Sequence, residues 1–247
     1  MEQEVKVNYI FGMHPVFEAI SSGKKIEKVL IKKGLEGEQS RRLLSLLISN
    51  NVAYQFVPLE RLDRVTKGRH QGVIAVLAAV DYVDLEEMVE NALQAEKSPL
   101  ILLLDGVSDV RNFGAIARTA ECAGVNNIIL PAKGGASITP DAIKTSAGAL
   151  LRINVSKVPN LKNAVYYLLQ QEFQIVTATE KANDYIYSVD FTKPTAIIMG
   201  AEDKGISPAI RSLATAEAKI PMAGNIGSLN VSTATGIILF EAVRQRR

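Results

Sequence analysis

LILLLDGVSDVRNFGAIARTAECAG, residues 100–124, sets the reading of the whole chain. Leu100 to Leu104 form an unbroken apolar run closed by Asp105, the pattern of a strand buried on both faces. Beyond a short polar loop, Asn112 reads as a helix N-cap and Gly124 as the stop. A buried strand feeding a helix is the building unit of a mostly parallel sheet covered on both sides. The unit recurs downstream. NNIILP (126–131), INVSKV (153–158), FQIVTAT (173–179), TAIIMG (195–200) and AEAKIP (216–221) read as strands. TPDAIKTSAGALL (139–151), LKNAVYYLLQQE (161–172) and STATGIILFEAVRQRR (232–247) read as helices.

Upstream, a smaller α/β module is predicted over residues 1–80. Pro15 sits at a helix start, with Val16, Phe17, Ala19 and Ile20 behind it and Gly23 as the stop. KVLIKK, VAYQFV and GVIAVLAAV read as strands; GEQSRRLLSLLISN and LERLDRV read as helices. Residues 81–98 form an acidic helical connector, and residues 99–247 the larger domain.

Of 247 residues, 47% are hydrophobic and 22% charged, an ordinary balance for a protein with a packed core. The net charge of +2 is unevenly spread: residues 1–80 carry +4, residues 81–98 carry −5 and residues 99–247 carry +3. Two mildly basic segments permit an RNA partner without demanding one. Cys122 stands alone, so no intramolecular disulfide and no cysteine-based metal site can form. MEQEVKVNYIFG lacks a signal-peptide pattern, and no apolar run reaches the roughly 20 residues a membrane helix needs. The expectation is a cytoplasmic protein with no membrane partner.

The only histidines are His14 and His70, both in the first module, where surface or capping roles are expected. A histidine triad or zinc site in the larger domain is thereby excluded. Gly200, Gly205 and Ser207 approach the phosphate-loop spacing, but Ile206 replaces its lysine, and Glu202 and Asp203 would repel a triphosphate. No G-x-G-x-x-G follows a predicted strand.

Three polar islands remain, each close to a predicted strand: Asn112 to Arg118, Gly200 to Gly205, and Ile220 to Asn230. Read singly, Asn112 can cap a helix, Arg118 can pair with Glu121 one turn on, and Ser228 and Asn230 can serve a turn and a helix cap. Glu202 in a glycine-flanked loop is harder to explain as structure. Loops at the carboxyl ends of parallel strands converge on one crevice, so jointly the islands specify one site.

The islands, written N112-x5-R118-x5-G124, G200-A-E202-D-K-G205-I and I220-P-M-x5-S228-L-N230-V-S232, resemble the three motifs of the SpoU (TrmH-like) ribose 2′-O-methyltransferases of the SPOUT superfamily. Y9-I-F-G-M-H-P-V-F-E-A-I20 and R69-H-Q-G-V73 resemble the L30e-like substrate-binding domain of that family, so the likeness spans nearly the whole chain. It implies a C-terminal trefoil knot, a homodimer, S-adenosylmethionine as methyl donor, no metal and an RNA substrate rather than DNA. The domain arrangement is most like that of a member that modifies a guanosine of large-subunit ribosomal RNA, which the resemblance makes the expected target. The resemblance implies that Gly200, Ile220 and Leu229 hold the cofactor through backbone groups. Asn112, Arg118, Glu202, Ser228 and Asn230 would then form the catalytic and substrate-binding set.

Within that set Arg118 suits phosphate positioning and alkoxide stabilisation, since a guanidinium stays protonated. Glu202 would anchor its loop or orient Arg118. Asn112 and Asn230 would hold the ribose or its phosphate, and Ser228 would fix the third loop. Lys24, Lys25, Lys28, Lys32, Lys33, Arg41 and Arg42 offer the first module a basic surface for an RNA backbone. Two rivals stay open: a methyltransferase acting on transfer RNA, and a non-catalytic RNA-binding assembly factor.

Overall fold

The computed structural model describes residues 9–247. They fall into two compact units, one reaching to residue 81 and including 138–140, the other comprising 82–137 and 141–247.

In the first unit the order is β1 (Tyr9–Phe11), α1 (Met13–Ser21), β2 (Ile26–Lys32), α2 (Glu38–Ser49), β3 (Tyr54–Val57), α3 (Leu59–Val65) and β4 (Val73–Leu77). The sheet is mixed, ordered β1-β4-β2-β3: β4 runs antiparallel to both neighbours, and β2 and β3 are parallel. Alternation along each strand splits the apolar residues between two faces. Val29, Ile31, Val73 and Ala75 meet Val16 and Ile20 of α1 and Leu43 and Leu47 of α2. Leu30, Val57, Ile74 and Val76 meet Leu62 of the short α3.

Of the surface or capping roles expected for His70, the surface one does not hold. The residue is buried, its Nδ1 accepts from the Gly72 amide at 3.0 Å, and its Nε2 lies 3.0 Å from Asp63 Oδ1. An amide donor at Nδ1 fixes the neutral tautomer with the proton on Nε2, donated to Asp63. His14 is exposed.

The second unit runs α4 (Leu85–Ala95), β5 (Leu100–Asp105), α5 (Val110–Cys122), β6 (Asn127–Pro131), α6 (Pro140–Thr145), β7 (Asn154–Val158), α7 (Leu161–Gln170), β8 (Gln174–Ala178), β9 (Thr195–Gly200), α8 (Pro208–Arg211), β10 (Ala216–Ala218) and α9 (Val231–Gln245). All six strands are parallel, ordered β10-β8-β9-β5-β6-β7. Ile101 to Leu104 are fully buried at the centre. On one side Ile101, Leu103 and Ile198 pack with Met88 and Val89 of α4 and Val165 and Leu168 of α7. On the other, α5 and α9 pack against each other.

Gly114 lets α6 lie close to α5, because a Cβ there would come within 2.7 Å of the Thr145 Cβ. The single helix expected over 139–151 is broken. Ala147 (φ 49°) and Gly148 (φ 84°) turn the chain into a 3₁₀ turn at Ala149–Leu151. Among the described residues no helix is long and apolar enough to cross a membrane.

Candidate active site

Because β8, β9, β10 and β5 are parallel, their carboxyl ends share one edge of the sheet. There, a cleft of about 630 Å³ lies between the segment after β9 and the segment that joins β10 to α9. That volume is in the range of small-molecule sites. Gly200, Ile220, Ser228 and Leu229 line it, with Glu202 and Asn230 at its wall.

The loop after β9 is tightly folded. Gly205 donates its amide to Ala201 O at 2.8 Å and takes a left-handed φ of 65°. Gly200 admits no side chain, since a methyl group there would overlap the Gly205–Ile206 peptide. Asp105, paired in register with Gly200, clamps the loop's far end: its Oδ2 accepts from the Ser207 amide at 2.7 Å. Nothing local in the sequence marks Asp105 for this role.

The segment after β10 is different in kind. Between Pro221 and Leu229 no backbone amide or carbonyl finds a backbone partner among the described residues. The segment ends at Asn230, the N-cap of α9. The Asn230 Oδ1 accepts from the amides of Ser232 (3.0 Å) and Thr233 (3.4 Å) and from the Ser232 hydroxyl (2.5 Å). These donors fix which end of the side-chain amide is oxygen. Its Nδ2 then donates to Asn112 Oδ1 at 3.0 Å and to Glu202 Oε1 at 2.6 Å. One residue from each of the three islands thus meets in a single hydrogen-bonded group beside the cleft.

Asn112 is free for this contact because it is not the helix cap. α5 begins earlier, at Val110, with Asp109 accepting from the amides of Arg111 (2.9 Å) and Asn112 (2.8 Å). Among the described residues Glu202 makes no bond to Arg118; its Oε1 accepts from the Asn230 amide instead. Arg118 is exposed on α5, six residues and about 9 Å of helix rise beyond Asn112. Its expected partner Glu121 faces Arg152 instead, at 3.6 Å. Ser228 is exposed on the wall of the cleft.

Arg211, on the lining of the cleft, forms a two-pronged ion pair with Glu217, both contacts 2.6 Å, tying α8 to β10. The Arg211 hydrogen bond holds the Glu217 carboxyl below the ordinary glutamate range. Among the described residues no group of three or more His, Cys, Asp or Glu side chains is placed to hold a metal ion.

The predicted basic surface of the first unit is partly committed. Lys25 pairs with Asp81 at 2.7 Å, Arg42 lies 5.6 Å from the Phe17 ring centroid, and Lys28 and Lys32 are half-buried. Lys24, Lys33 and Arg41 are exposed.

The carboxyl edge of the parallel sheet thus carries a glycine-floored cleft of small-molecule size with a hydrogen-bonded polar group beside it. Comparison with known proteins gives the class. Residues 99–240 match the SpoU rRNA Methylase family, and residues 9–83 match the RNA 2′-O ribose methyltransferase substrate-binding family. YacO of Bacillus subtilis (strain 168), named as a TrmH family tRNA/rRNA methyltransferase, is 30% identical over 97% of this chain and 96% of its own. The SpoU methyltransferase AviRb from Streptomyces viridochromogenes superposes with a TM-score of 0.63 at 26% identity, over 97% of this chain and 90% of that one. The AdoMet-bound rRNA methyltransferase from Sinorhizobium meliloti gives a TM-score of 0.58 at 26% identity, over 96% and 86%. The chain belongs to the SpoU (TrmH-like) family of RNA ribose methyltransferases.

Proposed function

We propose that this enzyme methylates the ribose 2′-hydroxyl of a guanosine in large-subunit ribosomal RNA, with S-adenosylmethionine as donor. The observation that carries the reading is the Asn112–Asn230–Glu202 group beside the glycine-floored cleft. The cleft fits the donor in three respects: its volume, a floor at Gly200 that no side chain can fill, and a wall over 221–229 whose backbone groups have no backbone partner among the described residues. Gly200, Ile220 and Leu229 would hold it. The bound donor supplies an electrophilic methyl group together with its own leaving group.

What remains for the protein is orientation and electrostatics. Asn112 and Asn230 hold the ribose or its phosphate, and Glu202 keeps the Asn230 amide turned toward Asn112. Arg118, exposed and without an ion-pair partner among the described residues, is available for the RNA phosphate and for charge developing on the attacking oxygen. Ser228 fixes the loop that ends in Asn230. Residues 1–80 bind RNA, 81–98 connect, and 99–247 carry the chemistry. A homodimer and a trefoil knot complete the family picture.

The choice of ribosomal RNA is supported by the family description and by the Sinorhizobium relative, and YacO's name covers transfer RNA too. The deciding experiment incubates the protein and S-adenosylmethionine with unmodified large-subunit ribosomal RNA and, in parallel, transfer RNA, followed by nucleoside mass spectrometry. 2′-O-methylguanosine only in the ribosomal RNA is expected. The same product in transfer RNA moves the target. Donor binding with no methylation of either RNA overturns the substrate assignment. Arg118→Ala should abolish transfer and leave donor affinity by calorimetry nearly unchanged; lost donor binding would remove its assigned role.

A further inference from the structure

We propose that Tyr9 and Phe11, on the α3 side of the first unit's sheet, form a stacking platform for unpaired RNA bases. The inference rests on the reading above that this unit binds RNA, and it names the surface and the part of the RNA recognised.

Tyr9 and Phe11 are 38% and 40% exposed. They lie two apart on β1, an edge strand, so both side chains project from the same face. Register identifies that face. Phe11 lies opposite Ile74, which lies opposite Leu30; Tyr9 lies opposite Val76, which lies opposite Lys28. Leu30, Ile74 and Val76 belong to the cluster beneath α3, and α3 spans only seven residues. The opposite face is closed by α1 and α2 together. The sheet is thus fully roofed on one side and lightly roofed on the other, with two exposed rings at the thin edge.

Phe11 is also held in place. Its ring abuts Gly68, where a Cβ would stand only 2.7 Å from Phe11 Cε2. The loop that supports the ring carries exposed Lys67 and Arg69 on either side of that glycine. Two exposed aromatic rings, one of them held against Gly68 and flanked by cations, in a segment of net charge +4, match the chemistry of single-stranded nucleic acid: ring faces for bases and cations for phosphates. Duplex RNA keeps its bases stacked inside and offers nothing to such a surface, so loops, bulges or ends are the expected ligand.

The chain contains no tryptophan, so Phe11→Trp creates a single fluorescent reporter at the platform. Titration with an unmodified large-subunit ribosomal RNA transcript, and separately with transfer RNA, should quench that fluorescence with the same midpoint as RNA retention on a filter. Tyr9→Leu combined with Phe11→Leu should raise Kd and KM for RNA about five-fold or more, with kcat and donor affinity unchanged. The salt slope of binding should also stay unchanged, whereas Lys67→Ala with Arg69→Ala should flatten it. Circular dichroism checks that the leucine variant folds, and the tryptophan variant reads the contact with an aromatic ring retained. RNA binding that leaves the tryptophan signal unmoved, or that is equally tight in the leucine variant, overturns the platform and leaves the enzyme's function standing. If wild-type protein binds neither RNA, both the platform and the reading beneath it fall.

Discussion

Asn230 does two jobs with one side-chain amide. Its oxygen caps α9 and its nitrogen holds Asn112 and Glu202 together. Substitutions can separate the two. Asn230→Asp keeps a capping oxygen but places a carboxylate against Glu202 and removes the donor. Melting temperature should change little while methyl transfer falls at least ten-fold. Asn230→Ala loses the cap as well, at about 1 kcal/mol. Wild-type turnover in Asn230→Asp would show that this hydrogen-bonded group has no part in the chemistry. At this scale Asn112, Glu202 and Asn230 were legible because each lies next to a predicted strand or helix end. Their direct bonding was not, because the partners are 118 and 28 residues apart. Asp109 was missed as the cap because Asp and Asn both cap well, and DVRN offers one at each end. Asp105 read as a strand terminus; its partner, the Ser207 amide, lies 102 residues away, beyond any local pattern.

Among the elements, α9 is tied down at both ends. At its C-terminus Arg246 donates to the carbonyls of Phe191 (2.7 Å), Ser98 (2.6 Å) and Lys193 (3.0 Å). Gln245 adds a bond from the Phe191 amide and one to the Val189 carbonyl. Burial pushes the Arg246 guanidinium below its ordinary value, opposed by Glu96, but an arginine keeps its charge in a protein. Arg246→Ala removes three charge-assisted bonds and should cost about 3 kcal/mol. Melting temperature should drop by roughly 6–12 °C for a unit of this size. A drop under 1 °C in a thermal melt would mean that α9 is anchored by packing alone. The element order was largely legible, since uninterrupted apolar runs and helical spacing are strong local signals. The broken helix near Gly148 was not, because positive φ at Ala147 is imposed by the chain around it.

For the whole molecule, the parallel sheet followed from strand–helix alternation, whereas the mixed sheet of residues 9–81 did not. Direction there depends on where the 66–72 loop delivers β4, and His70 buried between Asp63 and Gly72 holds that loop. Acid stability is a property at this scale. Hydrogen bonds from Arg211 and Arg244 hold the carboxyls of Glu217 and Glu241 below their ordinary 4.5. A depressed folded-state pKa means the unfolded chain binds the proton more readily. The contribution is therefore whole above about pH 4.5 and is lost as pH falls through the folded values. Glu217→Gln should be less stable than wild type at pH 7 and should lose less on acidification. Denaturant midpoints measured from pH 7 down to pH 3 would show this as converging curves, and parallel curves would remove Glu217 from the account.

The backbone of residues 221–229 has consequences for timing. Ser228 and Asn230 sit at the end of a segment whose peptide groups have no backbone partner among the described residues. RNA that arrives before the donor meets Ser228 on a strap held at its Asn230 end but, among the described residues, by no backbone hydrogen bond along 221–229. The two substrates should accordingly bind in compulsory order, donor first and RNA second. Product-inhibition kinetics would reveal this, with S-adenosylhomocysteine competitive against the donor and noncompetitive against RNA.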